Sequence, residues 1–252
     1  MYSQWDFLSR TYFGTVSKDG KPFQETPWKH SEGVAAITWS HKYRHDLFYI
    51  LPYHHLEFPD TMKKLILIDV DLEFATDFLD VYRQFKRFSP TEVIGCGVTQ
   101  SPYYFTFFKL YKSKNPDSHI GGPGRFQGLN TGVLLLDLEK MRASSLYQNT
   151  THPDTITHMR DKYNFVGTVG DQDWLTLVTI TYHTFILFWS ENSIQISFEY
   201  PELIYILPCE YNKEEHRPGE CHQDTVDEWE ITNKAYHHCP RRIKIRHRSG
   251  SI

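Results

Sequence analysis

With 252 residues, of which 40% are hydrophobic and 23% charged, the chain is long enough to form one large domain with a substantial core. Its formal charge of −4 gives no reason to expect nucleic acid as a partner. The aromatic content of 15% is typical of sugar-handling proteins but is not specific to them.

The chain begins with a segment whose structure the sequence does not define. Residues 1–40 are rich in aromatic residues and turn signals, and they predict no strand. Leu47, Ile50 and Leu51 fall at helical spacing, which predicts a helix that Pro52 ends or kinks.

The most informative stretch is Lys64–Phe74. Its apolar run, Leu65–Ile68, does not alternate with polar residues, which predicts a central strand covered on both faces. Asp69 and Asp71 follow at a spacing of two, so we expect both carboxylates to share one side while Val70 points away. At the carboxyl edge of an α/β sheet, such oxygen ligands suit Mg²⁺ or Mn²⁺ shared with substrate phosphates. The alternative is that Asp69 caps a turn and Asp71 opens a helix.

The middle of the chain alternates between helical and strand patterns, which predicts a mixed α/β sandwich. The glycine-rich loop Gly121–Gly124 lacks the lysine of a phosphate-binding P-loop, and we interpret it as the rim of a cleft. The predicted elements are a helix marked by Phe78, Tyr82 and Phe85, a strand over Val93–Val98, a helix or strand over Tyr103–Tyr111, a strand over Val133–Leu136, a helix capped by Asp137, a helix over His158–Tyr163 and a helix that begins at Gly170–Asp173.

The C-terminal part is less regular. Residues 178–199 carry few turn signals, and we interpret them as an atypical insertion. A short strand over Leu203–Leu207 is followed by a charged, loop-like stretch, Asn212–Lys234. The last segment, Arg242–His247, alternates apolar and basic residues as an edge strand would.

Four cysteines bear on the compartment of the protein. Cys96 fits a buried strand thiol, whereas Cys209, Cys221 and Cys239 lie in polar sequence with spacings that match no compact zinc site. We therefore predict one disulfide among these three, which indicates an oxidising compartment. The glycosylation sequon at Asn149–Thr151 points the same way.

Four sequence blocks occur along the chain in the order Leu67–Asp71, Asn130–Leu138, Gly170–Asp173 and Lys244–His247. This order resembles the retaining glycosyltransferase family 8, whose members have the GT-A fold. Within this family the chain is most similar to the xyloside xylosyltransferases, and the resemblance covers roughly residues 42 to 247.

The resemblance implies an α/β fold with a mixed, mostly parallel sheet flanked by helices. It implies a single domain, 1–252, with 209–240 as a cysteine-containing loop region. Asp69 and Asp71 would hold Mn²⁺ together with His247, and Asn130 and Gln172 would act at the reaction centre. The implied donor-binding residues are Asp69, Val70, Asp71, Asn130, Thr131, Gly132, Asp171, Gln172, Asp173, Trp174, which would stack on a sugar, and Arg248.

The activity implied by the resemblance is transfer of xylose from UDP-xylose, with retention, to a xyloside glycan on EGF-like repeats of the Notch type. The resemblance also implies a location in the lumen of the endoplasmic reticulum or Golgi, as a type II membrane protein. The segment Met1–Asp6 has no basic-then-apolar pattern, and Leu175–Trp189 is too short to span a bilayer. We therefore expect any membrane anchor to lie outside this chain.

Three departures from the family pattern stand out. Residues 1–40 show no counterpart of the strand that holds uracil and ribose, and 178–199 has no family character. The family histidine is normally followed by Gly-Asn, whereas His247 is followed by Arg248 and Ser249. Arg248 is expected to compensate through a phosphate contact. Together the departures suggest an incomplete gene model.

Two alternatives remain at this point. One is a catalytically impaired relative or fragment that keeps the fold. The other is a haloacid-dehalogenase-type phosphatase, whose first motif also places Asp-x-Asp after an apolar strand. That motif has Thr or Val two residues after the second aspartate, where this chain has Glu73.

Overall fold

The structure is a computed structural model, which describes residues 51–100, 103–118, 120, 128–163, 171–179, 200–215, 239 and 241–248. The expectations for residues 1–40, for most of the helix before Pro52, for the loop Gly121–Gly124 and for residues 180–199 lie outside this part of the chain.

The described elements alternate between strands and helices along the chain, as predicted. The strands are β1 (Lys64–Ile68), β2 (Leu72–Phe74), β3 (Ile94–Val98), β4 (Leu129–Asp137), β5 (Ile204–Ile206), β6 (Lys213–Glu214) and β7 (Ile245–His247). The α-helices are α1 (His54–Glu57), α2 (Phe78–Tyr82), α3 (Tyr103–Lys114), α4 (Leu138–Ala143), α5 (Ser145–Thr150), α6 (Pro153–Tyr163) and α7 (Asp171–Thr179). Short 3-10 turns cover Leu51–Tyr53, Arg83–Arg87, Pro201–Leu203 and Cys209–Tyr211.

The larger sheet has four described strands in the order β1-β4-β3-β5. Strand β4 pairs antiparallel with β1 and with β3, while β3 and β5 pair in parallel. The sheet is therefore mixed, as predicted, but the expectation of mostly parallel pairing is wrong for the described strands. The prediction that β1 is central is also wrong among these strands, because β1 lies at one end of the order. The predicted covering of both faces is borne out only in part, because Leu65, Ile66 and Leu67 are half-buried and Ile68 is 44% exposed. An apolar run predicts covered faces but does not determine how many edges of the strand are paired.

The smaller sheet has the order β2-β7-β6. Strand β7 pairs antiparallel with β2 and in parallel with β6. The prediction of an edge strand at the C-terminal end is therefore wrong, since β7 is the middle strand. The alternation itself is real: Ile245 is fully buried and Arg246 is exposed.

Strand β4 separates two hydrophobic clusters. On one face, Leu134 and Leu136 pack in a cluster with Tyr104 and Trp174. On the other face, Val133 and Leu135 pack with residues that include Ile245 of the smaller sheet. The second cluster thus attaches the smaller sheet to the larger one, which places β7 beside the carboxyl end of β1.

The structure confirms one local prediction, decides one open assignment and corrects one predicted buried face. Asp137 caps α4 by accepting from the Lys140 N–H at 3.2 Å. The ambiguous segment after residue 102 is helix α3. Around α2 the buried residues are Val81 and Phe85, whereas Phe78 and Tyr82 are nearly half exposed. The predicted buried face was therefore wrong in part.

The cysteine predictions are also confirmed. Cys209 and Cys239 form a disulfide, and Cys96 is a buried free thiol on β3. Burial raises the pKa of the Cys96 thiol. Cys221 lies outside the described residues.

Within the described ranges, no helix combines the length and the apolar character that crossing a membrane requires.

Candidate metal centre

Two carboxylates lie in the tight connection between β1 and β2. Asp69 begins this connection, and its N–H donates to the Gly132 carbonyl of β4 at 2.9 Å. Val70 is 93% exposed, while the Asp71 side chain is 18% exposed. The predicted position just past the carboxyl end of β1 is confirmed, and Asp71 leads into a strand rather than a helix.

His247 reaches the same place from the C-terminal end of the described chain. It lies on β7 opposite Leu72, so the pairing of β7 with β2 carries it next to the aspartates. Its Nε2 atom is 3.3 Å from Asp71 Oδ1 and 3.5 Å from Asp69 Oδ2. The ligand atoms of these three residues lie within 4.8 Å of one another.

Gly132 makes this approach possible. A Cβ atom at position 132 would lie 2.4 Å from His247 Cε1 and 2.5 Å from His247 Nδ1, well inside van der Waals contact. Glycine is therefore required on β4 by close packing against the imidazole. The Asn-Thr-Gly run signalled this position in the sequence, although the partner of Gly132 was not foreseen.

The three side chains are suited to a divalent cation. Adjacent ligands of an octahedral cation at about 2.1 Å stand roughly 3 Å apart, close to the separations of His247 Nε2 from the two carboxylates. Two carboxylates with one imidazole form a donor set of hard oxygens and one borderline nitrogen, which suits a divalent cation. The buried Nδ1 of His247 has no hydrogen-bond partner in the described part of the chain.

Asn130 lies one layer behind this cluster. It is 4% exposed, and its Oδ1 accepts from the Gly132 N–H at 2.8 Å and from Asn212 Nδ2 at 2.6 Å. Its Nδ2 donates to Glu214 Oε1. Thr131 is half-buried beside it. Much of the amide of Asn130 is therefore occupied by protein partners, and its contact with a sugar stays a prediction.

The residues predicted on α7 are placed differently from one another. Gln172 is half-buried, whereas Asp173 is 4% exposed and accepts from the Tyr104 hydroxyl at 2.7 Å. Trp174 is fully buried, edge-on to Tyr147 with ring centroids 6.4 Å apart. The expectation that Trp174 stacks on a sugar is therefore wrong for this structure. Asp171 begins the helix.

Arg248 lies directly beside the cluster. Its backbone N–H donates to the Asp71 carbonyl at 3.1 Å, and its guanidinium forms an ion pair with Glu73. A phosphate contact by Arg248 stays a prediction, and it would compete with the Glu73 carboxylate.

Sequence reasoning missed the polar residues that surround the site. The stretch after Asn212 was expected to be a charged loop, yet it includes β6 and the buried Glu214. Sequence reasoning named Lys244 only as the first residue of the block Lys244–His247. In the structure its Nζ donates to Asp80 Oδ2 and to the Tyr211 hydroxyl, each at 2.7 Å. No local signal identifies a buried carboxylate in a charged segment.

Comparison with known proteins identifies the wider group. The chain is 30% identical over 229 residues to human xyloside xylosyltransferase 1, covering 90% of this chain and 51% of that protein. Its structure superposes on the crystal structure of mouse xyloside xylosyltransferase 1 in the apo form with a TM-score of 0.66. The match covers 81% of this chain and 64% of the mouse chain, and the sequence identity is 29%. The chain is also 28% identical to human xylosyl- and glucuronyltransferase LARGE1 over 67% of this chain and 19% of that protein.

The chain is a homologue of the xyloside xylosyltransferases, with the GT-A fold of glycosyltransferase family 8. No protein-family model matches the chain. The chain spans about half the length of the human and mouse xyloside xylosyltransferases that it matches. The homology favours a glycosyltransferase over the phosphatase alternative.

Proposed function

We propose that this xylosyltransferase homologue is a Mn²⁺-dependent, retaining glycosyltransferase that uses UDP-xylose. The observation that carries the proposal is the convergence of Asp69, Asp71 and His247 in a GT-A fold, although the histidine lies far from the aspartates in sequence. Its acceptor would be a xyloside glycan on EGF-like repeats. Its proposed compartment is the lumen of the endoplasmic reticulum or Golgi.

Asp69, Asp71 and His247 would hold the cation, which when bound would stabilise negative charge on the departing diphosphate. His247 lies on the smaller sheet, whereas Asp69 and Asp71 lie in the connection that leads from the larger sheet to the smaller one, so the site forms where the two sheets meet. The close contact between Gly132 and the imidazole fixes the ring position.

The remaining residues would orient the reacting groups. Gln172 can donate and accept hydrogen bonds but is a poor nucleophile. The proposed route is therefore attack by the acceptor hydroxyl on the same face from which UDP leaves, and the departing phosphate accepts the proton. Asn130 would support this centre from its buried position.

A catalytically impaired relative is the second candidate. It is favoured by the burial of Trp174, which removes one expected donor contact. The ion pair of Arg248 with Glu73 also favours it, because this pair would compete with a second expected contact. Such a protein would keep the fold without binding UDP.

Calorimetric titration of UDP, with Mn²⁺ and then with EDTA, tests the proposal. We expect binding that requires Mn²⁺ and that weakens by at least about tenfold in Asp71→Asn, since even outer-sphere changes at metal sites cost 10- to 100-fold. The matched control is Asp117→Asn, which removes the same charge from an exposed position outside the cluster.

A panel of UDP-sugars with a xyloside acceptor would then identify the donor. Folded protein that binds no UDP with or without Mn²⁺ would contradict the transferase proposal and support the impaired relative.

A further inference from the structure

A buried carboxylate outside the candidate metal centre joins the two sheets. Glu214 on β6 is 4% exposed and is the residue that pairs with His247 in the register of β6 and β7. Its side chain accepts from the Asn130 amide and from the Gln100 N–H. It also accepts from the Thr99 hydroxyl at 3.2 Å. Both carboxylate oxygens therefore face donors on the larger sheet or its end.

Asn130 connects Glu214 to the candidate metal ligands through hydrogen bonds. Its Oδ1 holds the Gly132 N–H at 2.8 Å. Gly132 packs against the His247 ring, and its carbonyl accepts from the Asp69 N–H at 2.9 Å. A continuous series of contacts therefore runs from Glu214 through Asn130 and Gly132 to two of the three ligands.

The hydrogen bond between Asn130 and Glu214 depends on a carboxylate at position 214. An ionised glutamate only accepts hydrogen bonds, and Thr99, Gln100 and Asn130 each donate to Glu214. An amide of the same shape would turn one acceptor into an N–H directed at another donor. Because burial of a carboxylate is costly, two sheets that needed only to adhere would be joined more favourably by apolar residues.

We propose that Glu214 is a positioning residue of the metal centre, which orients Asn130 and, through Gly132, sets the spacing of His247 and Asp69. The inference rests on the proposed function for the identity of the cation. It adds a residue that lies outside the cluster of Asp69, Asp71 and His247.

Mn²⁺ affinity in the presence of UDP, measured by electron paramagnetic resonance of the free ion, tests this role. We expect Glu214→Gln to raise the Kd for Mn²⁺ about 10- to 100-fold, the range for outer-sphere partners of metal ligands. The matched control is Glu215→Gln, which removes the same charge from the adjacent, half-exposed residue that pairs with Arg246 at 2.8 Å. That control should leave the Kd within about twofold.

A reversed pair provides the rescue. In the double variant Glu214→Gln with Asn130→Asp, the introduced amide can donate to the introduced carboxylate, and the net charge is unchanged. The other oxygen at position 214 still accepts from Gln100 and Thr99. We expect this double variant to recover most of the affinity that Glu214→Gln loses.

The outcomes are separable. Unchanged Mn²⁺ affinity in folded Glu214→Gln would overturn the positioning role. A second result would also overturn it: Glu214→Gln loses Mn²⁺ affinity, the double variant does not recover it, and both variants are equally less heat-stable than the unaltered protein without metal. Glu214 would then be a structural residue. If the unaltered chain binds no Mn²⁺ with UDP, the proposed function fails first and the inference fails with it.

Discussion

At the scale of single residues, the candidate metal centre depends on the absent side chain of Gly132. The imidazole of His247 occupies the space where a Cβ atom would lie, and Asn130 Oδ1 lies on the other side at 2.9 Å from that position. Neither neighbour can move freely, because His247 belongs to the middle strand of its sheet and Asn130 is hydrogen-bonded to Glu214 and Asn212.

Gly132→Ala should therefore displace His247 and weaken Mn²⁺ binding by more than about tenfold. Titration of Mn²⁺ in the presence of UDP measures the effect. His247→Ala provides the comparison, because Gly132→Ala should cost much less once the ring is absent. Equal costs in both backgrounds would show that Gly132 acts by another route.

At the scale of elements, the strand that carries His247 is held by the residue at its start. The backbone carbonyl of Lys244 accepts from the Ala75 N–H at 2.7 Å, and the backbone N–H of Lys244 donates to the Glu210 carbonyl at 2.8 Å. Its ammonium group binds Asp80 and Tyr211. The Lys244 hydrogen bond holds the pKa of the Asp80 carboxyl below its ordinary value of 3.8.

This lowered pKa predicts a pH-dependent contribution to stability. Because the folded-state pKa of Asp80 is depressed, the contribution is present above about pH 3.8 and is lost as pH falls through the lower folded-state pKa. The unfolding free energy of the unaltered protein should exceed that of Asp80→Asn near neutral pH, and the difference should shrink in acid. Urea unfolding across this range measures it.

The exposed Asp117 supplies the control, since Asp117→Asn should change the unfolding free energy little at any pH. A difference for Asp80→Asn that does not vary between neutral and acid pH would contradict the electrostatic account.

At the scale of the whole molecule, the C-terminal segment must return across the fold before the metal ligands can meet. The disulfide between Cys209 and Cys239 closes a separation of 30 residues just before β7. Arg241, two residues later, pairs with Glu210 at 2.9 Å. These links hold β7 near the larger sheet from its N-terminal side.

Replacing both cysteines by serine should lower the unfolding free energy by about 3 to 4 kcal/mol, the loop-entropy value for a closed segment of this length. Chemical denaturation of the double variant measures the loss, and the unaltered protein under dithiothreitol should behave similarly. Full stability in both cases would show that the smaller sheet holds this segment without the covalent link.

The sequence by itself determined the features that depend on neighbouring residues. The apolar runs of β1, β3 and β4 and the cap at Asp137 are local patterns. The three strands and the cap are confirmed, whereas the central position predicted for β1 is not. The placement of Asp69 and Asp71 just after β1 follows from the same logic, since an apolar strand excludes carboxylates from its interior. The order of four blocks indicated the family that the comparisons support.

Only the tertiary structure decided which residues from distant parts of the chain meet. It placed β7 between β2 and β6, buried Trp174 and brought Glu214 against Asn130. Strand pairing and burial depend on contacts between residues far apart in sequence, and a carboxylate in a charged segment looks like a surface residue until its partners are known. The candidate metal centre combines both kinds of information: its aspartates follow from a local pattern, and the approach of His247 follows from the pairing of β7 with β2.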